Sequence, residues 1–292
     1  MTTPELTVVV PTRDRPAALA GCLAALAAQR AVTIEIVVVD DASVDARAVA
    51  AVVAAHAPDS RTVRASGRGP AGARNRGIDA ARAPFVALTD DDCRPTPDWA
   101  AALVGRLRRG ARVVAGPTVV ADAHDPFARA AQTITNTVVE ASFAADRTTV
   151  GFAPTSNLAL AVDVHRALPF DETYPLAAGE DRDWCDRVVA SGTPIAWEPR
   201  ARVEHSPALG WGGFWRQQLR YGRGARVYHR ARATGRGVGP GRLQLHLLRA
   251  ALAQGPRVTT LVLAAQVATV VGYVAEARDQ ARSRSGTPGR SA

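Results

Sequence analysis

Residues 85–95 read Phe85-Val86-Ala87-Leu88-Thr89-Asp90-Asp91-Asp92-Cys93-Arg94-Pro95. The first five residues have the character of a buried strand, three carboxylates follow at once, and Pro95 is expected to end the extended chain. Because adjacent aspartates repel one another, their position at a strand end needs a reason. A divalent cation provides one, since Mg²⁺ and Mn²⁺ prefer hard oxygen ligands and commonly hold substrate phosphates. Taken alone, the triplet is equally consistent with a solvated acidic turn.

Strands and helices alternate through the first third of the chain. The predicted strands span residues 6–10, 34–39, 61–65 and 85–89, and the predicted helices span residues 15–29, 45–57 and 73–82. This alternation predicts an α/β fold with a doubly wound sheet and right-handed crossovers. Less regular elements follow, with strands predicted at 113–115, 157–161, 195–197 and 202–205, and helices at 97–109, 126–145 and 179–190.

A second acid cluster, Asp40-Asp41, ends the second predicted strand. In doubly wound sheets, ligands bind beyond the carboxyl ends of the strands. Both acid clusters lie at such ends. Two strands that end in carboxylates at one edge of a sheet are not expected if these residues are only solvated surface charges. The sequence therefore predicts a functional acidic site at this edge.

Composition places the chain among ordinary globular proteins. It has 292 residues, of which 47% are hydrophobic and 22% charged. The three cysteines, Cys22, Cys93 and Cys185, form no C-x-x-C pair, so neither a zinc site nor a disulfide framework is indicated. Residues 1–5 hold no apolar segment of a signal peptide, and a reducing, cytoplasmic location is expected.

The positive charge is concentrated toward the C-terminus. The net charge is +9, and residues 205–275 hold ten arginines without a single Asp or Glu, whereas the preceding residues lean acidic. We therefore predict a catalytic domain over residues 1–205 and a basic helical extension over 206–292, with a disordered tail at 283–292.

The extension contains two apolar segments. Residues 242–249 predict an amphipathic helix, and residues 258–275 carry no charge. The second segment is slightly short for a span, which needs about 20 apolar residues. We expect these helices to lie on an anionic membrane surface, on the inner face of the cell membrane. Packing on the catalytic domain or in a dimer, and true spanning, remain as alternatives.

Several motifs in a fixed order resemble those of the family 2 glycosyltransferases, which invert the anomeric centre and have the GT-A fold. The resemblance covers residues 6–230 through Val8-Val9-Val10-Pro11-Thr12-Arg13, Val38-Val39-Asp40-Asp41-Ala42-Ser43, Gly72-Ala73-Arg74-Asn75-Arg76-Gly77, Asp90-Asp91-Asp92 and Gly179-Glu180-Asp181. It implies a Rossmann-like, mostly parallel sheet flanked by helices. It also implies transfer of a sugar from a nucleotide-diphosphate sugar to an acceptor hydroxyl.

The resemblance assigns the nucleotide contacts. Asp41 would accept a hydrogen bond from a ring N–H of the base, a role that suits a carboxylate because it only accepts. Pro11 and Arg13 would flank the same base. Arg74 would face the base or the diphosphate; the alternative is an exposed helix charge.

The acidic triplet corresponds to the D-x-D motif of the family. Asp90 would face the ribose, with Asp91 nearby, and Asp92 would bind Mn²⁺ or Mg²⁺. His205 would complete the ligand set, although a lone histidine is often structural or exposed. The cation would neutralise the leaving nucleoside diphosphate as a Lewis acid.

The same resemblance makes Asp181 the base that takes the proton of the acceptor hydroxyl. Its predicted place at a helix N-terminus favours the carboxylate form, but acids at this position also often serve only as caps. Residues 151–157 and Trp184 would help to form the acceptor pocket. The acceptor itself could be a glycan, a lipid-linked sugar or a small molecule.

Two other functions compete. A sugar nucleotidyltransferase would have a Gly-rich, Lys-bearing loop after the first strand, and residues 11–16 contain neither Gly nor Lys. A nucleic-acid-binding protein would explain the arginines, but aromatic residues are few and an uncharged apolar segment interrupts the basic one. No nucleic-acid partner is expected.

Overall fold

The computed structural model describes residues 3–174, 178–232 and 240–285. Its first part alternates as β1 (Leu6–Thr12), α1 (Pro16–Ala27), β2 (Ile34–Asp40), α2 (Ala46–His56), β3 (Arg61–Arg64), α3 (Pro70–Asp79) and β4 (Phe85–Leu88). The middle part contains β5 (Cys93–Pro95), α4 (Trp99–Arg108), β6 (Val113–Ala115), β7 (Thr118–Val120), α5 (Pro126–Ala141), β8 (Thr149–Val150), β9 (Leu158–Ala161), α6 (Val162–Ala167), α7 (Glu180–Ala190), β10 (Ile195–Trp197) and β11 (Val203–His205). The last part is helical, with α8 (Trp211–Ala231), α9 (Pro240–Ala253) and α10 (Pro256–Ser285).

The large sheet has eight strands in the order β3-β2-β1-β4-β9-β6-β10-β8. Strands β3, β2, β1 and β4 are parallel, which confirms the predicted alternation. Strand β9 runs antiparallel to both β4 and β6. The carboxyl ends of β1, β2 and β4 consequently share one edge, where Thr12 pairs with Asp40.

A smaller sheet has the order β5-β11-β7. Extended chain does end at Pro95, as expected, but the strand that ends there is the separate short strand β5, in which Pro95 pairs with Val203. Strand β5 lies at the edge of this sheet, where proline is tolerated because a ladder N–H is not required on the outer side. The pairing sets His205 opposite Cys93, next to the acidic triplet.

Two apolar layers sandwich the large sheet, because successive strand side chains point to opposite faces. Val8, Val10 and Val38 pack with α1 and α4 on one face. Val9, on the other face, packs against α3. A Cβ on Gly77 of α3 would lie 2.2 Å from Val9 Cγ1, so this glycine permits the close approach of helix and strand.

The C-terminal helices pack on α5 and on one another. Their shared core contains Ala130, Ala131, Phe214, Leu247, Ala251, Val258, Leu261, Val262 and Ala265. Helices α8 and α10 touch at two glycines. A Cβ on Gly222 would lie 2.0 Å from the Thr269 carbonyl oxygen, and a Cβ on Gly272 would lie 2.0 Å from that of Leu219.

Both predicted helices of the extension are present, and α10 is longer than predicted. By length and composition alone, residues 256–282 could cross a membrane, and 33% of their most apolar window is buried against the protein. The helix continues to Ser285, and the rest of the predicted tail, 286–292, lies outside the described residues.

Candidate active site

A cavity of about 440 Å³ opens beyond the carboxyl end of β4, between the sheet and helices α5, α7, α8, α9 and α10. Five of the residues predicted to contact the donor, the metal or the acceptor proton line it: Arg74, Asp90, Asp92, Asp181 and His205. They come from four segments that lie far apart in the chain. The fold therefore brings the acidic triplet, the Glu180-Asp181 pair and His205 to one place.

Arg74 joins the acidic triplet to the start of α7. Its Nη2 lies 3.0 Å from Asp90 Oδ1, and its Nη1 lies 3.0 Å from Glu180 Oε1. Arg74 is buried, so the alternative of an exposed helix charge is wrong. Burial alone would lower the pKa of Arg74, but Asp90 and Glu180 outweigh it and raise that pKa. Burial also raises the pKa of Glu180 to about 7, against the opposing effect of Arg74.

Asp181 stands in the first turn of α7. Gly179 precedes the helix with a φ of +94°, a conformation that glycine adopts without strain. A Cβ at this position would also lie only 3.1 Å from the Gly224 carbonyl oxygen of α8, so a side chain would crowd the contact between the two helices. Asp181 Oδ1 accepts a hydrogen bond from the Arg182 N–H at 2.7 Å. Although the helix N-terminus favours the carboxylate, burial is the larger effect and raises the pKa of Asp181.

The second and third aspartates of the triplet have different surroundings. Asp91 is fully buried and accepts a hydrogen bond from Thr12 Oγ1 at 2.7 Å; it does not line the cavity. Asp92 does line it, with Oδ1 3.4 Å from His205 Nε2 and Oδ2 2.7 Å from Arg15 Nη1. Burial alone would raise the pKa of Asp92, but His205 and Arg15 hold it well below its usual range.

Asp92 and His205 provide a donor set that fits a divalent cation. Potential ligand atoms of Asp92, Cys93 and His205 lie within 4.8 Å of one another. Burial raises the pKa of the Cys93 thiol well above its ordinary value, so this group stays protonated and is a poor ligand. A carboxylate oxygen with an imidazole nitrogen suits Mn²⁺, and oxygen ligands suit Mg²⁺.

The residues predicted to bind the nucleotide base of the donor lie apart from this cavity, at the ends of β1 and β2. Asp41 accepts hydrogen bonds from the N–H groups of Gly67 (2.9 Å) and Gly69 (3.1 Å). Both glycines have positive φ, of 75° and 92°, so the glycine-rich loop is shaped around this carboxylate. Pro11 is half-buried and Arg13 is exposed beside the same loop.

Three further residues of the site escape the sequence reasoning. Arg15 belongs to the turn after β1, and Glu180 belongs to the recognised pair, so motif position could have drawn attention to both. Gln132 of α5 lies 3.1 Å from His205 Nδ1, and no sequence signal marks it. Trp184 does not contribute to the cavity as expected, because it is fully buried and stacks on Phe170. Phe152, Pro154, Thr155 and Ser156 do line it, as the expectation for 151–157 requires.

The chain is similar to two curated bacterial proteins. It is 29% identical over 206 residues to the pre-mycofactocin glycosyltransferase of Mycobacterium tuberculosis (strain CDC 1551 / Oshkosh), covering 69% of the chain and 42% of that relative. It is 40% identical over 107 residues to the succinoglycan biosynthesis protein ExoO of Rhizobium meliloti (strain 1021), covering 36% and 28%. The chain thus spans less than half the length of these relatives.

A solved structure and a family model agree with this likeness. The mannosyltransferase PcManGT from Pyrobaculum calidifontis, solved in complex with GDP-Man and Mn²⁺, matches with a TM-score of 0.59 and 20% identity, over 98% of this chain and 81% of that one. This likeness confirms the predicted GT-A fold. The family model described as "Glycosyl transferase family 2" matches residues 7–168, more than half of the chain. The chain therefore belongs to the family 2 glycosyltransferases.

Proposed function

We propose that the chain is a metal-dependent inverting glycosyltransferase that moves a sugar from a nucleotide-diphosphate sugar to an acceptor hydroxyl. One observation carries the proposal: the Asp92–His205 pair and the carboxylate of Asp181 line the same cavity. In metal-dependent single displacement, a cation stabilises the leaving diphosphate and a basic group takes the acceptor proton, so both are needed in one cavity. The Mn²⁺ and GDP-Man of the structural neighbour support this assignment.

Asp181 is the proposed base. Single displacement requires a group that takes the acceptor proton on the side opposite the leaving group. Burial raises the pKa of this carboxyl, so its ionised form has a stronger affinity for a proton than an exposed aspartate. Glu180 is a less suitable base, because its carboxylate is held by Arg74 at 3.0 Å.

Asp92 and His205 are the proposed ligands of Mn²⁺ or Mg²⁺. When bound, the cation would act as a Lewis acid toward the leaving diphosphate. Arg74 lies at the same wall of the cavity, and its guanidinium is fixed by Asp90 and Glu180. We assign Arg74 to the diphosphate side of the donor and Asp90 to the ribose, with Asp91 nearby. Asp41, Pro11 and Arg13 are assigned to the nucleotide base.

The function is tested by incubating the protein with a panel of UDP-, dTDP- and GDP-sugars, with Mn²⁺, with Mg²⁺ or with EDTA. Release of nucleoside diphosphate is measured. Release from at least one donor, restored by either cation after EDTA treatment, supports the proposal. Release of pyrophosphate from a nucleoside triphosphate and a sugar phosphate would instead support the nucleotidyltransferase alternative, and equal release in EDTA would contradict metal dependence.

The C-terminal helices leave an apolar face uncovered, which we assign to an anionic membrane surface. The exposed aliphatic residues are Leu245, Leu248 and Leu252 on α9, and Leu263, Val267, Val270, Val271 and Val274 on α10. The residues of α10 recur at helical spacing and form a stripe about 16 Å long. Such a stripe can enter the boundary between lipid headgroups and acyl chains.

Charge favours this partner over a second protein. Seven exposed arginines of the extension make no ion pair within the described residues: Arg216, Arg220, Arg230, Arg242, Arg249, Arg257 and Arg278. Each basic residue near an anionic leaflet contributes about 1 kcal/mol of attraction. The proposed location is accordingly peripheral, on a cytoplasmic membrane face, with residues 1–205 as the catalytic domain.

A further inference from the structure

A line of hydrogen bonds leads from His205 to the backbone of β7. His205 Nδ1 lies 3.1 Å from Gln132 Oε1. Gln132 Nε2 donates to Asn136 Oδ1 at 2.8 Å. Asn136 Nδ2 donates to the carbonyl oxygen of Thr118 at 3.2 Å. Gln132 and Asn136 are one turn apart on α5, so their side chains are neighbours on the helix surface.

The direction of every bond in this line is set by its last member. The Thr118 carbonyl can only accept, so Asn136 must present its amino group there and its oxygen to Gln132. Gln132 in turn must donate to Asn136, and it presents its own oxygen to His205. An amide oxygen also only accepts, so Nδ1 must carry a proton toward Gln132. Nε2 is then the ring nitrogen that faces Asp92, 3.4 Å from its Oδ1, and its lone pair becomes available to a metal ion when Nε2 holds no proton.

We propose that Gln132, supported by Asn136, is a positioning residue that holds His205 in the Nδ1–H tautomer and so presents Nε2 as a metal ligand. This inference rests on the proposed metal-binding role of His205. Histidines that bind metals commonly donate their other N–H to a carboxylate, a carbonyl or water, and such partners set the ring orientation. Here the buried side-chain amide of Gln132 would be the acceptor of that N–H.

Burial explains why Gln132 matters more than Asn136. Gln132 is only 5% exposed, and an unpaired buried amide is costly. Asn136 is exposed, at the opening of about 530 Å³ between α5 and α9 that Gln132 also lines. Water can replace part of what Asn136 provides, and its removal should have the smaller effect.

The alternative is that Gln132 is merely a satisfied polar residue of the core. The two explanations differ in whether a hydrogen-bond acceptor at position 132 affects metal binding. Gln132→Met keeps the length of the side chain and removes the acceptor. Gln132→Glu keeps an acceptor for the Nδ1–H and should rescue metal binding. Gln218→Met is the matched control, because Gln218 is a buried glutamine of the same cavity whose amide bonds to Gln217 rather than to His205.

The experiment measures binding of Mn²⁺ alone by calorimetry to the full chain and to each variant, with near-ultraviolet circular dichroism as the check of folding. We expect His205→Ala and Gln132→Met to weaken Mn²⁺ binding by about 10- to 100-fold. Asn136→Ala should weaken it less, and Gln132→Glu and Gln218→Met should stay within about threefold of the wild type. Equal affinities for Gln132→Met and Gln218→Met would overturn the inference, whereas an unchanged His205→Ala would remove His205 from the proposed metal site itself.

A second measurement uses the wild type, so it needs no variant that could fail to fold. The ¹⁵N chemical shifts of His205 in the metal-free wild type, at about pH 9 where an ordinary histidine is neutral, report its tautomer. The inference predicts a protonated Nδ1, because Gln132 offers this nitrogen only an acceptor. An unprotonated Nδ1, or a rapid mixture of the two neutral tautomers, would contradict it.

Discussion

Arg15 Nη1 lies 2.7 Å from Asp92 Oδ2, so a guanidinium contacts the proposed metal-binding carboxylate. The Nε of the same side chain lies 3.2 Å from Asp91 Oδ2. These contacts explain how the chain folds with three adjacent aspartates at a strand end. In the absence of a metal ion, the guanidinium of Arg15 compensates the charges of Asp91 and Asp92. The side chain of Arg15 is 51% exposed, so it has room to move away.

Replacing Arg15 by Gln should strengthen the binding of Mn²⁺ in the absence of nucleotide. The variant removes a positive charge that competes with the metal for Asp92, and a charge at this distance in a half-exposed site is worth about 1 kcal/mol or more, or roughly fivefold in affinity. Titration calorimetry with Mn²⁺ alone measures the change. Arg13→Gln serves as the control, because the recorded ion contact of Arg13 is with Asp14. Weaker binding by the Arg15 variant would contradict this account.

Replacing Arg74 by Met should destabilise the fold by about 3 to 5 kcal/mol, because removal of Arg74 leaves the buried carboxylate of Glu180 without its partner. Asp90 and Glu180 both lose their 3.0 Å contacts in this variant. The measurement is the free energy of unfolding in urea. Arg76→Met on the exposed side of the same helix should change it by no more than about 0.5 kcal/mol. If the two variants were equally stable, the ion pairs of Arg74 would not support the fold.

The stability contributed by Glu180 should depend on pH. Its pKa is raised from 4.5 to about 7 in the folded state, so below pH 4.5 both states hold the proton. Between these values the folded chain keeps a proton that the unfolded chain has lost, and stability falls as pH rises. The stability of the wild type relative to Glu180→Gln should therefore be greater at pH 5 than at about pH 7.5, by about 1 to 3 kcal/mol. Urea denaturation at both pH values measures this difference, and a difference that grows with pH would contradict the raised pKa.

The membrane assignment predicts selective binding to anionic vesicles. Cosedimentation with vesicles of phosphatidylcholine and phosphatidylglycerol should exceed that with phosphatidylcholine alone, and should weaken as salt rises. Val267→Ser with Val270→Ser should reduce binding by roughly 100-fold, because about 3 kcal/mol of apolar burial is lost. Val44→Ser, at a 94% exposed position in the sheet part, is the control. Equal binding to both vesicle types, or assembly into a dimer through this face, would contradict the assignment.

The sequence predicts the sheet and the position of its acid clusters well, because both follow from local patterns. Apolar runs and helical spacing mark each βα unit, and the carboxyl ends of β1, β2 and β4 then meet by topology. The family resemblance brings Asp181 and His205 to the same site. Neither property depends on how a particular side chain is oriented.

Other features arise only from the three-dimensional contacts. The sequence gives no signal for strand β5, because its three residues are extended through pairing with β11 rather than through a local pattern. The 3.1 Å contact of Gln132 with His205 spans 73 residues of sequence and has no periodic signature. Burial in the cavity raises the pKa of Asp181, and the walls of this cavity come from elements that lie far apart in the sequence.

The account depends most directly on Asp181, and Asp181→Asn tests it. The donor and cation that give nucleoside diphosphate release in the wild type are used, and both the Kd of the donor and the rate of release are measured. Asp163→Asn, an exposed acid near the start of α6, is the control. We predict that Asp181→Asn binds the donor within about threefold of the wild type and loses about 100- to 10,000-fold in rate, as expected for removal of a general base. A rate within tenfold of the wild type, with binding unchanged, would contradict the assignment of Asp181 as the base.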